Sequence, residues 1–151
     1  MLRNDPDLLR WVLIKDPNPN LKRALELAAS SSDTIIIDIL LERGAKVENC
    51  LAMHDAVKRF DGRGIPMLDH LLQRGFDVNA FGNVSGFQGK ATPLHLAAMA
   101  GRRAEAKWLL EHGADPRLRN EIGTSAMGCA TLRGHEDLGQ LLRAWCEKLN
   151  G

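Results

Sequence analysis

Two histidine–carboxylate neighbours carry the most reactive chemistry that the chain could offer: His54–Asp55 in "MHD" and Asp69–His70 in "LDH". A histidine beside a carboxylate can serve as a general acid or base. No nucleophile with a matching partner accompanies either pair, and Asp55 and Asp69 fall at helix positions that are usually solvated. Metal binding finds less support. The histidines stand about 16 to 25 residues apart, the cysteines are isolated, and neither Cys-x-x-Cys nor His-x-x-x-His occurs. "GNVSGFQGK" (82–90) has glycines and a lysine, but it lacks the spacing and the final Ser/Thr of a phosphate-binding loop. With no tyrosine and 5% aromatic residues, a base-stacking platform for nucleic acid is not expected.

The bulk numbers suit a soluble globular chain. There are 151 residues, 44% hydrophobic and 26% charged, with a net charge of +1. Such a balance gives no overall attraction to nucleic acid or membrane. Three cysteines, Cys50, Cys129 and Cys146, form no evident disulfide framework and point to a reducing compartment, cytoplasmic or nuclear. "MLRNDPDLLR" shows no signal peptide, and runs such as "IIIDILL" are too short and too charged to span a bilayer. No cofactor is expected.

The elements that would position any site emerge from self-comparison. "TPLHLAAMAGR" (92–102) lies over "SAMGCATLRGH" (125–135) at an offset of 33 residues, pairing Thr92 with Ser125, Leu94 with Met127, Ala97 with Ala130 and Gly101 with Gly134. "LAMHDAV" (51–57) aligns His54 with His95, and "LLQRGFDVNA" (71–80) aligns with "LLEHGADPRL" (109–118). "ALELAASSS" and "ILLERGAKVE" repeat the two halves again. Each unit has a physical logic. A hydroxyl residue caps a small-residue helix, a proline sits in its first turn, and a glycine breaks it. A leucine-rich helix then runs back and ends at Gly44, Gly75 or Gly113 in a left-handed cap. One such pair cannot bury its apolar face, but a stack can.

This pattern resembles the ankyrin repeat, with "TPLHLAAMAG…WLLEHGAD" close to the consensus and weaker copies over nearly the whole chain. The resemblance implies an all-α solenoid with β-hairpin-like loops, forming a single domain over 1–151. Its parts would be a capping half-unit at 5–16 and repeats at about 21–48, 51–80, 92–119 and 125–148. It also implies a concave surface of first helices and hairpin tips that binds another protein. The departures are local. About three extra residues lie in "KRFDGRG" (58–64), the hairpin after Gly44 is short, and that after Gly75 is long. Leu51 and Arg23 replace the capping threonine, Gly128 replaces the motif histidine, and the last helix lacks its terminal glycine.

Carried over position by position, the family's contact residues fall near the ends of the first helices, on Ser30, Ser31, Lys58, Arg59, Met99, Ala100, Leu132 and Arg133. On the hairpins they fall on Asn49, Cys50, residues 81–91, Arg119, Asn120, Glu121, Ile122 and Thr124. The partner-binding set is then Lys58, Arg59, Phe81, Phe87, Lys90, Met99, Arg119, Ile122, Leu132 and Arg133. It mixes apolar and basic side chains, which suits a partner protein with an acidic segment; the chain itself is expected to be a monomer. Phe81 and Phe87 either take part in contact or fold under their own loop. His54 and His95 are read as backbone-bonding motif histidines. Trp11, Trp108, Trp145 and Cys129 are read as packing. "LLQRGFDVN" resembles ankyrin segments that asparaginyl hydroxylases modify, so Asn79 is either a substrate or a hairpin brace. An alternative function is a small-molecule binder or unusual enzyme. In that reading the 58–64 and 81–90 loops close a pocket lined by His54, Asp55, Arg59, Asp61 and Met99.

Overall fold

The computed structural model describes Pro6, Ile14 and residues 20–151. The capping half-unit expected at 5–16, with Trp11, rests almost wholly on residues outside that set. The chain divides into two compact units between Phe76 and Asp77.

The first unit holds α1 (Leu21–Ser31), α2 (Thr34–Glu42), α3 (Ala52–Val57) and α4 (Gly64–Gln73). α1 packs on α2 and α3, and α3 on α4. Leu25, Ile37, Leu40, Met53, Leu68 and Leu71 fill the core, and Ala52 and Ala56 are fully buried where α1 and α3 approach. The start of α1 differs from the sequence expectation. Asn20, three residues before Arg23, is the cap, and its side-chain oxygen accepts the Arg23 N–H at 3.0 Å. α3 begins at Leu51, which has no capping side chain. The substitute comes from the preceding repeat, where the buried Glu26 carboxylate accepts the Leu51 N–H at 3.2 Å.

The second unit holds β1 (Gly82–Asn83), β2 (Lys90–Ala91), α5 (Pro93–Met99), α6 (Arg103–Glu111), α7 (Ala126–Leu132) and α8 (Glu136–Asn150). The strands pair antiparallel, Gly82 opposite Ala91 and Asn83 opposite Lys90. α5 packs on α6 and α7, and α7 on α8. Leu94, Leu109 and Leu142 are buried, and Ala97 and Ala130 let α5 and α7 approach closely. The hydroxyl caps stand where the repeat puts them. Thr92 Oγ1 accepts the His95 N–H, and Ser125 Oγ accepts that of Gly128 at 3.2 Å. Gly113 ends α6 at φ +97, a backbone that a Cβ would strain, while the Ala114 N–H reaches back to the Leu109 carbonyl at 2.9 Å. Gly44 and Gly75 close α2 and α4 in the same way. Each described unit is therefore built of helix pairs, the all-α architecture that the repeat requires.

Candidate functional site

The second unit presents two hairpins and the C-terminal ends of α5 and α7. The long hairpin is held in place at several points. The Phe87 N–H donates to the Val84 carbonyl at 3.1 Å, and the Val84 side chain is turned inward. At its tip Gly86 lies against α5, where a Cβ would stand 3.6 Å from Met99 Cε. At its return arm, the Lys90 N–H donates to Glu121 Oε2 at 2.6 Å and the Glu121 N–H to the Lys90 carbonyl at 2.9 Å. This clasp ties the long hairpin to the next one. It also dictates Gly89, because at φ +85 a Cβ there would fall 2.5 Å from Glu121 Oε2.

The second hairpin is braced by Asn120. Its side chain accepts the Thr124 N–H at 2.8 Å, and its own N–H donates to the Thr124 carbonyl at 2.9 Å. His95 joins this hairpin to α5. Its Nδ1 faces the Thr92 N–H, so Nε2 carries the proton toward the Thr124 carbonyl at 3.0 Å. Burial holds this imidazole below its ordinary pKa. The motif histidine thus bonds backbone in the adjacent loop, as its sequence pattern implies.

Several of the carried-over residues meet on this surface. Arg133 at the end of α7 points a guanidinium N–H at Met99 Sδ, 3.6 Å away. Leu132 beside it is 78% exposed and Ile122 on the second hairpin 59%. Phe81, Lys90 and Arg119 are exposed, whereas Phe87 and Met99 are half-buried. Arg119 is partly engaged, donating to the Gly123 carbonyl at 2.8 Å. Glu121 is the acid on these hairpins, and its carboxylate is turned onto the Lys90 N–H.

Two residues assigned to contact in the first unit are buried instead. Arg59 is 3% exposed, and its guanidinium donates to the carbonyls of Ala29 and Ser32 at 3.1 and 2.8 Å. Those carbonyls end α1, where a cation also meets the negative end of the helix dipole. Asp61 grips the other edge of the same guanidinium and hydrogen-bonds the Arg63 N–H, while Arg63 pairs with Asp33. The Arg59 hydrogen bonds hold the Asp61 carboxyl down at about 2. The extra residues of 58–64 therefore serve as a clamp on the preceding repeat, with Arg59 and Asp61 turned onto it. Cys50 is likewise inside, and burial pushes its thiol up to about 11. Lys58 is half-buried and reaches Asp55 at 3.3 Å. Burial raises that carboxyl against the pull of Lys58. Ser30 and Ser31 turn their hydroxyls back to the Leu27 carbonyl. Sequence reasoning passed over Phe60, which is 91% exposed beside this clamp. A phenylalanine flanked by Arg, Asp and Gly was the available signal.

Of the two histidine–carboxylate neighbours, His54 is fully buried beside Asp55, and Asp69 and His70 turn to different partners. His70 Nε2 meets Asp38 on α2 at 2.9 Å, and Asp69 instead accepts from the Gln73 amide. Arg74 Nε shares Asp38 at 2.8 Å, which makes this cluster an ion-pair group between α2 and α4. Among the described residues no three His, Cys, Asp or Glu side chains gather as a metal site. No described helix is long and apolar enough to cross a membrane. Two open hollows lie in the second unit, about 370 Å³ beside Gly101, Arg103, His135 and Asp137, and about 340 Å³ beside Asp115, Arg117, Trp145 and Leu149. Asn79, at the rim of the latter, braces the neighbouring loop, donating to the Gly113 carbonyl at 3.0 Å and accepting the Asp115 N–H at 2.9 Å. Trp108 is a packing residue, stacked on His112 at 3.9 Å.

Known proteins share this organisation. Residues 94–143 match the family model described as ankyrin repeats (many copies). The chain is 32% identical over 99 residues to Notch-regulated ankyrin repeat-containing protein A of Danio rerio, covering 62% of this chain and 84% of that protein. It is 31% identical over 132 residues to Zygote-specific protein 3 of Chlamydomonas reinhardtii, covering 84% of this chain. It is 38% identical over 80 residues to Espin-like protein of Homo sapiens, covering 52% of this chain. The chain spans 33% of the length of the second of these relatives and 7% of the third.

Proposed function

The chain belongs to the ankyrin repeat family, and from that premise we propose that it captures a partner protein on the hairpin and first-helix surface of its second unit. Repeats of this family generally serve as protein-interaction modules. The observation that carries the reading is the bracing of this surface. The clasp between Lys90 and Glu121 and the His95 bridge hold the loops in one shape. A preformed surface loses little ordering entropy on binding. Its exposed apolar groups, Phe81, Ile122 and Leu132, stand among the cations Lys90, Arg119 and Arg133. That combination favours a segment of the partner in which acidic residues flank apolar ones.

In this reading the protein binds and does not catalyse. It acts as a monomer in a reducing compartment, cytoplasmic or nuclear, and the three free thiols support that placement.

A peptide display library tests the proposal. The wild-type protein is to be compared with an Ile122→Ser/Leu132→Ser/Arg133→Glu variant whose helicity matches by circular dichroism. Enriched peptides rich in Asp or Glu beside apolar residues, with affinity at least about tenfold weaker for the variant, support it, a loss of the size expected for contact residues. Enrichment without an acidic bias, or equal affinity for both proteins, overturns it.

A further inference from the structure

We infer that Met99 is a modification site, a methionine placed for oxidation to the sulfoxide by hydrogen peroxide, with Arg133 as the group that assists the reaction and holds the product. Four methionines lie among the described residues. Met53 and Met67 are sealed in the core of the first unit, whereas Met99 and Met127 are both half-buried. Exposure alone therefore separates the first two from the last two and does not rank Met99 above Met127. The guanidinium does. An Arg133 N–H lies 3.6 Å from Met99 Sδ, and among the described residues no such contact is recorded for Met127.

The chemistry follows from that contact. A thioether sulfur is a weak acceptor with two lone pairs, so one can face Arg133 while the other attacks peroxide. The sulfur lone pair forms an S–O bond as the O–O bond breaks. The proton of the attacked oxygen passes to the departing hydroxide, giving water. Sulfur loses two electrons and the peroxide gains them. The neighbouring guanidinium can shift an N–H from sulfur to the peroxide and stabilise the negative charge that develops on the leaving oxygen. The sulfoxide oxygen then becomes a strong acceptor for the same guanidinium.

The product changes the surface. An apolar, flexible side chain becomes polar, and it does so next to Gly86 of the long hairpin, where an added Cβ would stand 3.6 Å from the Met99 methyl. Oxidation would thus alter the surface proposed above for partner capture. That consequence rests on the interaction reading, while the modification itself does not.

The test is peptide mapping by mass spectrometry after brief treatment of the folded protein with hydrogen peroxide, quenched with free methionine. Met99 sulfoxide is expected to form ahead of Met127 sulfoxide, with Met53 and Met67 unmodified as the control for folding. In an Arg133→Gln variant the ratio of Met99 to Met127 modification should fall about threefold, the rate equivalent of losing one weak hydrogen bond to a poor acceptor. Equal rates at Met99 and Met127 in the wild type overturn the assignment, as does an unchanged ratio in the variant. Because no partner enters this measurement, its failure is distinct from failure of the display experiment.

Discussion

Asp61 holds the guanidinium of Arg59 from one edge while the other edge caps the carbonyls of Ala29 and Ser32 at the end of α1. A residue thirty positions downstream thereby completes an earlier helix, and the two carboxylate contacts keep its charge compensated while buried. Replacing Arg59 by alanine leaves those carbonyls without their donors and the Asp61 carboxylate without its cation. The variant should lose about 2–4 kcal/mol in urea unfolding of the first unit. A loss under about 0.5 kcal/mol, the scale of an ordinary surface substitution, would show that the clamp is ornamental.

The same pair gives a pH signature. The Asp61 carboxyl has an ordinary pKa of 3.8 and is held at about 2 in the fold, chiefly by its hydrogen bonds from Arg59. A depressed carboxylate contributes stability that is fully present above its unfolded pKa and is lost as pH falls through the folded one. The stability gap between the wild type and Asp61→Asn should therefore be flat above about pH 5 and shrink between pH 4 and pH 2. A gap that stays constant down to pH 2 would remove the ion pair from the account.

Cys50 predicts the opposite limb. Burial pushes its thiol from 9.0 to about 11, so the fold favours the protonated form. The resulting preference is present below pH 9 and fades as pH rises toward 11. Wild-type stability should fall over that window relative to Cys50→Ala. At pH 8 a thiol reagent should label the half-buried Cys146 before the buried Cys50 and Cys129. Labelling of Cys50 first would contradict its place in the core.

The clasp between the hairpins is tested at Gly89. Gly89→Ala combines a strained left-handed backbone with a clash against Glu121, whereas Gly113→Ala meets the strain in open space. Thermal unfolding should show Gly113→Ala losing about 1–2 kcal/mol and Gly89→Ala at least about 1 kcal/mol more. Measured against Glu121→Gly alone, adding Glu121→Gly should bring the Gly89→Ala loss down to the Gly113→Ala level, because Glu121 Cβ, 2.7 Å from the added methyl, must go with the carboxylate. No recovery would mean that the clash is relieved elsewhere.

Much of the architecture was legible because it rests on local rules. Thr92 and Ser125 cap the helices that their hydroxyls announce, and the left-handed ends at Gly44, Gly75 and Gly113 need no information beyond their own neighbourhood. Arg59 was misread for an equally physical reason. Its position aligns with Ala100 in the repeat that matches the consensus best, but the longer 58–64 loop lets it turn back onto α1. Its acceptors are main-chain carbonyls, which no side-chain pattern announces. Asn20 and Glu26 escaped on the same ground. Asn20 supplies its cap from before the aligned unit, and Glu26, which stands where the motif histidine does in other repeats, supplies one for another repeat. Cys50 was placed on a hairpin tip because the short loop after Gly44 was aligned with longer ones, while the shorter path draws the thiol inside.

The late capping of α1 has a consequence in the order of synthesis. α1 leaves the ribosome well before either Leu51, whose N–H answers the Glu26 carboxylate, or Arg59, whose guanidinium answers its last carbonyls. Until those residues emerge, the helix is secured at its start by Asn20, and its far end faces water. The first described helix to be made is therefore not the first to be finished. Its completion waits on the translation of the repeat that follows.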